Sequence, residues 1–207
     1  MPNIERVVTH GTFELDGGTW EVDNNIWLVG DDEEVVVFDA AHASAPIIEA
    51  VGGRDVIAVV CTHGHNDHIT VAPELGAAVD APVLLHPADN MLWQMTHPDE
   101  RFHAVAAGMT LKVGGLELHA LHTPGHSPGS TCWHIPDLTA VISGDTLFHG
   151  GPGATGRSFS DFPTILASIT NRLGTLPNQT VVYTGHGDTT TIGSEIIHYD
   201  DWVLRGH

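Results

Sequence analysis

The chain has 207 residues and carries 26 acidic against 7 basic side chains, a formal charge of −19. That length fits one domain over residues 1–207 with a sizeable core, and the charge repels phosphates and anionic headgroups, which excludes nucleic acid and membrane as partners. The N-terminus lacks a charged segment followed by an apolar stretch, and no run is long enough to cross a bilayer, so a soluble, cytoplasmic protein is expected.

In chain order, residues 4–8, 11–15, 20–29 and 34–38 read as strands, with turns at Asp16-Gly17-Gly18 and Gly30-Asp31-Asp32. A helix is expected over 44–51, with Ser44 as N-cap and Gly52-Gly53 ending it. The apolar run from Asp55 to Cys61 reads as a strand buried on both faces. A helix near 69–79, a strand over 82–86 and a helix over 87–96 follow. Hairpins are expected over 109–122, around Gly114-Gly115, and 130–143, around Pro136-Asp137. A helix at 161–173, a strand at 180–184 and a helix near 191–198 close the chain. The alternation supports an α/β or α+β fold.

Directly after the buried strand stands His63-Gly64-His65-Asn66-Asp67-His68, three imidazoles and a carboxylate in six residues. Burying these groups together is costly without compensation, and a metal supplies it. His63 and His65 can point one way and Asp67 and His68 another, which suits two neighbouring cations. Further donors stand at strand-to-loop boundaries: His126 in Thr-Pro-Gly-His, Asp145 in Ser-Gly-Asp-Thr and His186 in Tyr-Thr-Gly-His-Gly. Of the remaining histidines, His10, His97, His103, His119, His134, His198 and His207 read as ordinary surface or core residues, and His42, His86 and His122 as structural. Cys61 and Cys132 read as buried small hydrophobes.

Asp39, the hexapeptide, His126, Asp145 and His186, in this order, resemble the marker set of the metallo-β-lactamase superfamily. The resemblance implies a four-layer αββα sandwich with metals along one edge. It implies one metal on His63, His65 and His126, another on Asp67, His68 and His186, and Asp145 bridging them. Asp39 would brace the metal loop without being a ligand. Two divalent ions are the implied cofactor, with zinc expected and iron or manganese compatible with the same donors. Ions sharing a carboxylate can share a water of lowered pKa, so hydrolysis by a bridging hydroxide is expected, with Asp67 orienting it or accepting its proton.

Asp145-Thr146-Leu147-Phe148-His149-Gly150-Gly151 resembles a segment of the glyoxalase II-like branch, which cleaves thioesters of low-molecular-weight thiols. A true β-lactamase typically lacks the bridging Asp. Typical glyoxalase II proteins also carry a basic C-terminal region that grips glutathione. Here 21 residues follow His186, with Arg205 their only basic one. The chain is therefore more similar to short bacterial glyoxalase II-like proteins. Its six Arg to one Lys is similar to their actinobacterial members, for which an acyl- or formyl-mycothiol substrate is implied. Persulfide dioxygenases, with one iron on the equivalents of His63, His126 and Asp145, and lactone hydrolases share the motif and are the alternatives. In the loop 150–158, Arg157 is a candidate to pair with a substrate anion, or else braces the turn. His149 is a second candidate substrate contact.

Overall fold

The computed structural model describes residues 1–106 and 108–206; His207, read as an ordinary surface or core residue, lies outside them. Strands β1 (Asn3–Leu15) and β2 (Gly18–Gly30) pair antiparallel along their whole length, from Asn3 opposite Gly30 to Leu15 opposite Gly18. Asp16 and Gly17 make the two-residue turn with φ of 53° and 77°, the left-handed pair that matches the twist of a hairpin. The two strands expected at 4–8 and 11–15 are one, because Gly11 stays in the ladder opposite Val22. A Cβ there would meet the His42 ring at 2.1 Å, so only glycine lets the strand pass.

β3 (Glu34–Phe38), β4 (Asp55–Val60), β5 (Val83–Leu85) and β6 (His103–Ala104) complete a sheet ordered β1-β2-β3-β4-β5-β6. β7 (Thr110–Val113), β8 (Leu116–His122), β9 (Thr131–Ile135), β10 (Ala140–Gly144), β13 (Val181–Thr184) and β14 (Thr190–Thr191) form the second, ordered β14-β13-β10-β9-β8-β7. A small ribbon, β11 (Leu147–Phe148) with β12 (Gly151–Pro152), stands apart. The two-residue strands β6, β11, β12 and β14 were not expected; two residues cannot show a period.

Alternation along the strands produces the layers. On β2 and β3, Ile26, Leu28, Val35 and Val37 face the helices α1 (Ser44–Val51), α2 (Asn66–Ile69), α3 (Ala72–Ala78) and α4 (Asn90–Thr96), burying Ile47, Ile69, Leu75 and Trp93. Their neighbours Trp27, Val29, Val36 and Phe38 face the other sheet, meeting Leu118, Trp133, Ile135 and Ile142. Beyond that sheet Cys132, Val141 and Val182 pack on α5 (Phe162–Ser168), its π-helical continuation to Leu173, α6 (Ile192–Ile196) and α7 (Tyr199–Arg205) through Ile165, Ile169, Ile192 and Trp202. Three buried seams between four layers make the αββα sandwich that the resemblance implied.

Some boundaries differ from expectation. α1 begins with Ser44 itself, Ala43 taking the cap position, while the Ser44 hydroxyl donates to Glu74. Gly52 ends that helix in the left-handed region as expected. The helix expected at 69–79 is broken at Thr70–Val71, where Ala40 inserts: its N–H donates to His68 O and its carbonyl accepts from Val71 N. The helix expected near 191–198 is α6, followed after a turn by α7. Among the described residues, no helix is long and apolar enough to cross a membrane.

Candidate metal centre

All seven candidate donors stand just past strand ends of one sandwich edge. His63 and His65 lie on the loop that leaves β4, His65 in extended backbone, whereas Asp67 and His68 lie in the single turn of α2. His126 lies on the β8–β9 loop, Asp145 follows β10 and His186 follows β13. The structure brings them together. His65 Nδ1 lies 3.0 Å from both His63 Nε2 and His126 Nε2. His68 Nε2 lies 3.3 Å from His186 Nε2, and Asp67 Oδ2 3.3 Å from His186 Nε2. Asp145 sits between the groups, Oδ2 3.5 Å from His126 Nε2 and 3.4 Å from His186 Nε2, Oδ1 3.4 Å from His68 Nε2. The sets His63-His65-His126, Asp67-His68-His186 and His63-His68-Asp145 each converge within 4.8 Å.

The outward nitrogens fix the tautomers. His68 Nδ1 faces Asp39 Oδ2 at 2.9 Å, His126 Nδ1 the Ala154 carbonyl at 2.9 Å and His186 Nδ1 the Asp23 carbonyl at 2.7 Å. Each partner can only accept, so the N–H is on Nδ1 and Nε2 is the nitrogen turned toward the other donors. Asp67 Oδ1 and Asp145 Oδ1 are buried without a hydrogen bond, as is His65 Nε2. Converging lone pairs and orphaned carboxylate oxygens repel one another unless a cation lies between them, so the donor set fits divalent ions.

The site's two poles differ in charge. Burial pushes His63 well below the usual imidazole range, with neighbouring imidazoles adding to it. Burial, then His126, brings His65 down to about 3. At the other pole burial also opposes charge but is outweighed. The carboxylates of Asp145, Asp67 and Asp39 hold His68 well above its usual range, and those of Asp145 and Asp67 raise His186 to about 10. Burial would raise Asp67, yet His68 and His186 bring it down to about 2; the same two imidazoles hold Asp145 well below the carboxylate range.

Asp39 has the place expected of it. Its carboxylate accepts from Thr62 N (2.8 Å), Thr62 Oγ1 (3.0 Å) and His68 Nδ1, and so ties the metal loop to the end of β3. The reading of the sequence missed the neighbouring run Asp23-Asn24-Asn25 on β2. Asn24 Nδ2 donates to Asp67 Oδ2 at 3.1 Å, and Asn24 Oδ1 lies 2.7 Å from His42 Nε2. Asn25 Nδ2 holds the carbonyls of Thr184 and Gly187 on either side of His186. A polar triplet interrupting an apolar strand was the signal available.

Above the donors lies a cavity of about 280 Å³, walled by Phe13, Trp20, Val22, Phe148 and Arg157. Arg157 lies over Trp20, its Cζ 3.8 Å from the ring centroid, and Phe13 meets His65 edge-on at 5.2 Å. Ser158 N donates to Asp16 Oδ2 at 3.0 Å, joining this loop to the hairpin tip. His149 is exposed on the β11–β12 turn, outside the residues lining the cavity. Cys61 and Cys132 are free and buried, and burial pushes both thiols up, Cys132 to about 11. His86 and His122 stack at 4.0 Å, away from the donors.

The family model of the Metallo-beta-lactamase superfamily matches residues 19–186. The chain belongs to the metallo-beta-lactamase superfamily. It is 34% identical over 179 residues to the probable metallo-hydrolase YqgX of Bacillus subtilis, covering 79% of this chain and 85% of that one. It is 28% identical over 187 residues to the hydroxyacylglutathione hydrolase GloC of Haemophilus influenzae, covering 81% and 87%. Among solved structures it is similar to TTHA1623 in a di-iron-bound form, with TM-score 0.75, 31% identity and coverage of 84% and 92%. It is also similar to the BLEG-1 B3 metallo-beta-lactamase, with TM-score 0.73, 27% identity and coverage of 90% and 95%. Membership makes the chain a metallo-hydrolase-type enzyme whose His and Asp clusters can hold divalent metal and whose substrates are small molecules.

Proposed function

We propose that the chain is a binuclear metal-dependent hydrolase that cleaves a thioester of a low-molecular-weight thiol. His63, His65 and His126 hold one divalent ion, Asp67, His68 and His186 the other, and Asp145 lies between them. The observation that carries this reading is the position of Asp145, within 3.5 Å of donors from both groups. The likeness to a hydroxyacylglutathione hydrolase points to a thioester. Zinc is the metal we propose, with iron an equal fit to these donors in view of the di-iron neighbour.

Bound divalent ions supply a water of lowered pKa and a Lewis-acidic grip on the carbonyl. The chain's own residues do the rest. Asp67 Oδ1, buried and unpartnered, is placed to take a proton at the floor of the cavity. Neither thiol competes as nucleophile, since burial disfavours both thiolates. Phe13, Trp20, Val22 and Phe148 offer apolar wall to an acyl chain. Arg157, and exposed His149 at the margin, are the substrate contacts we propose. Arg157 is the one Lys or Arg lining the cavity among the described residues. A single guanidinium suits a carrier with little charge, such as mycothiol, better than the two carboxylates of glutathione. Such substrates place the enzyme in the cytoplasm.

Thiol release from matched acyl thioesters of mycothiol and glutathione, with metal-replete protein, tests this. Cleavage of the mycothiol ester, with the glutathione ester slower, is expected. Failure on both, with turnover of a lactone or β-lactam or oxygen uptake with a persulfide, would overturn the thioesterase reading.

A further inference from the structure

Asp89 lies at the start of α4, 25 residues beyond Gly64, and is 1% exposed. Its Oδ2 accepts from Gly64 N at 2.8 Å and from Ser127 Oγ at 2.6 Å, and its Oδ1 accepts from Gly129 N at 2.5 Å. Gly64 separates His63 from His65, and Ser127 follows His126. One buried carboxylate therefore grips both loops that carry the three-imidazole group. Both loops have been cleared to let it in: a Cβ on Gly129 would lie 2.6 Å from Asp89 Cγ, and one on Gly64 2.9 Å from Asp89 Cβ.

The grip answers a physical need. Three imidazoles whose ring nitrogens converge have nothing between them to hold them together before a cation arrives. Charge-assisted bonds from behind hold the two loops at a set separation. The bonds of Asp89 do not reach Asp67, His68, Asp145 or His186; of these, Asp67, His68 and His186 are held by Asn24, Asp39 and the Asp23 carbonyl.

We propose that Asp89 is a positioning residue for the three-imidazole group alone, setting the distance between the His63–His65 arm and the His126 arm and so the metal affinity of that half of the centre. The inference rests on the binuclear reading above.

Titration of metal-free protein with Co(II), followed by its visible absorption bands, resolves two binding steps. Loss of one step in His126→Ala assigns it to the three-imidazole group. Asp89→Asn keeps the shape but offers an amide N–H₂ where a donor must be received. It is expected to weaken that step about 10–100-fold and leave the other within about threefold, the usual effect of removing a ligand's outer partner. Ser127→Ala, which removes one bond of three, should weaken the same step by a smaller factor. Leu92→Ala, a buried neighbour on α4, is the control for general loosening and should not separate the two steps. Unchanged steps in Asp89→Asn, or equal weakening of both as in Leu92→Ala, would overturn the proposal. Where Asp89→Asn does not fold, Ser127→Ala decides by the same criterion. A wild-type chain that takes up no Co(II) overturns the binuclear reading itself, and this inference with it.

Discussion

Asp39 adopts φ of 62°, a left-handed backbone that L residues other than Asn and Asp rarely tolerate, at the point where β3 must stop and face the metal loop. From there its two oxygens receive Thr62 and His68. Asp39→Asn keeps the backbone preference but loses the carboxylate. It should weaken metal binding about 10–100-fold in chelator competition. Asp145→Ala acts on the donor set itself, and metal content by elemental analysis should fall together with activity. Undiminished metal stoichiometry in that variant would refute the bridging role. The seven candidate donors could be picked out in the sequence because each stands in a short motif at a strand end, and Asp39 was implied by the resemblance. Asn24, Asn25 and Asp89 were not. Each acts through contacts with residues 18 to 162 positions away, and no local pattern encodes such a pairing.

The β1–β2 hairpin shows the same limit at the scale of an element. Its strands and its Asp16-Gly17 turn could be read from alternation and turn chemistry, but not that its tip reaches over the metal-bearing edge, since reach depends on tertiary packing. There Phe13 and Trp20 form one wall of the cavity, and Trp20 carries the Arg157 guanidinium. A cation–π contact at an exposed site is worth about 0.5–1 kcal/mol, so Trp20→Ala should raise KM roughly two- to fivefold with kcat nearly unchanged. A fall in kcat instead would place Trp20 at the reacting atoms. The break between α2 and α3 was hidden for a similar reason. The run 69–79 suits one helix, and only the backbone of Ala40, hydrogen-bonded to His68 and Val71, interrupts it.

For the whole molecule, the two poles of the centre tie stability to pH. In metal-free protein His186 titrates near 10, above the 6.5 of an ordinary imidazole, because its carboxylate neighbours outweigh burial. A raised imidazole contributes stability fully present below about 6.5 and lost as pH climbs through 10. His65, depressed to about 3 chiefly by burial, acts in the opposite sense: its contribution is present above 6.5 and is lost as pH falls toward 3. Asp67, lowered to about 2, adds a contribution present above its ordinary 3.8 and lost only in stronger acid. Metal-free protein should therefore be most stable near neutrality and lose melting temperature on both sides. In the proposed centre, bound metal would take the place of the proton on His186 Nε2, and metal bound only to the folded chain stabilises it by mass action. The alkaline loss should then vanish on metal loading, while the acid loss persists because protons displace the metal from its imidazoles. Thermal melts of chelated and metal-loaded protein from pH 5 to pH 10 check this. Parallel curves on the alkaline side would show that His186 does not exchange a proton for metal, and would move the second ion away from it.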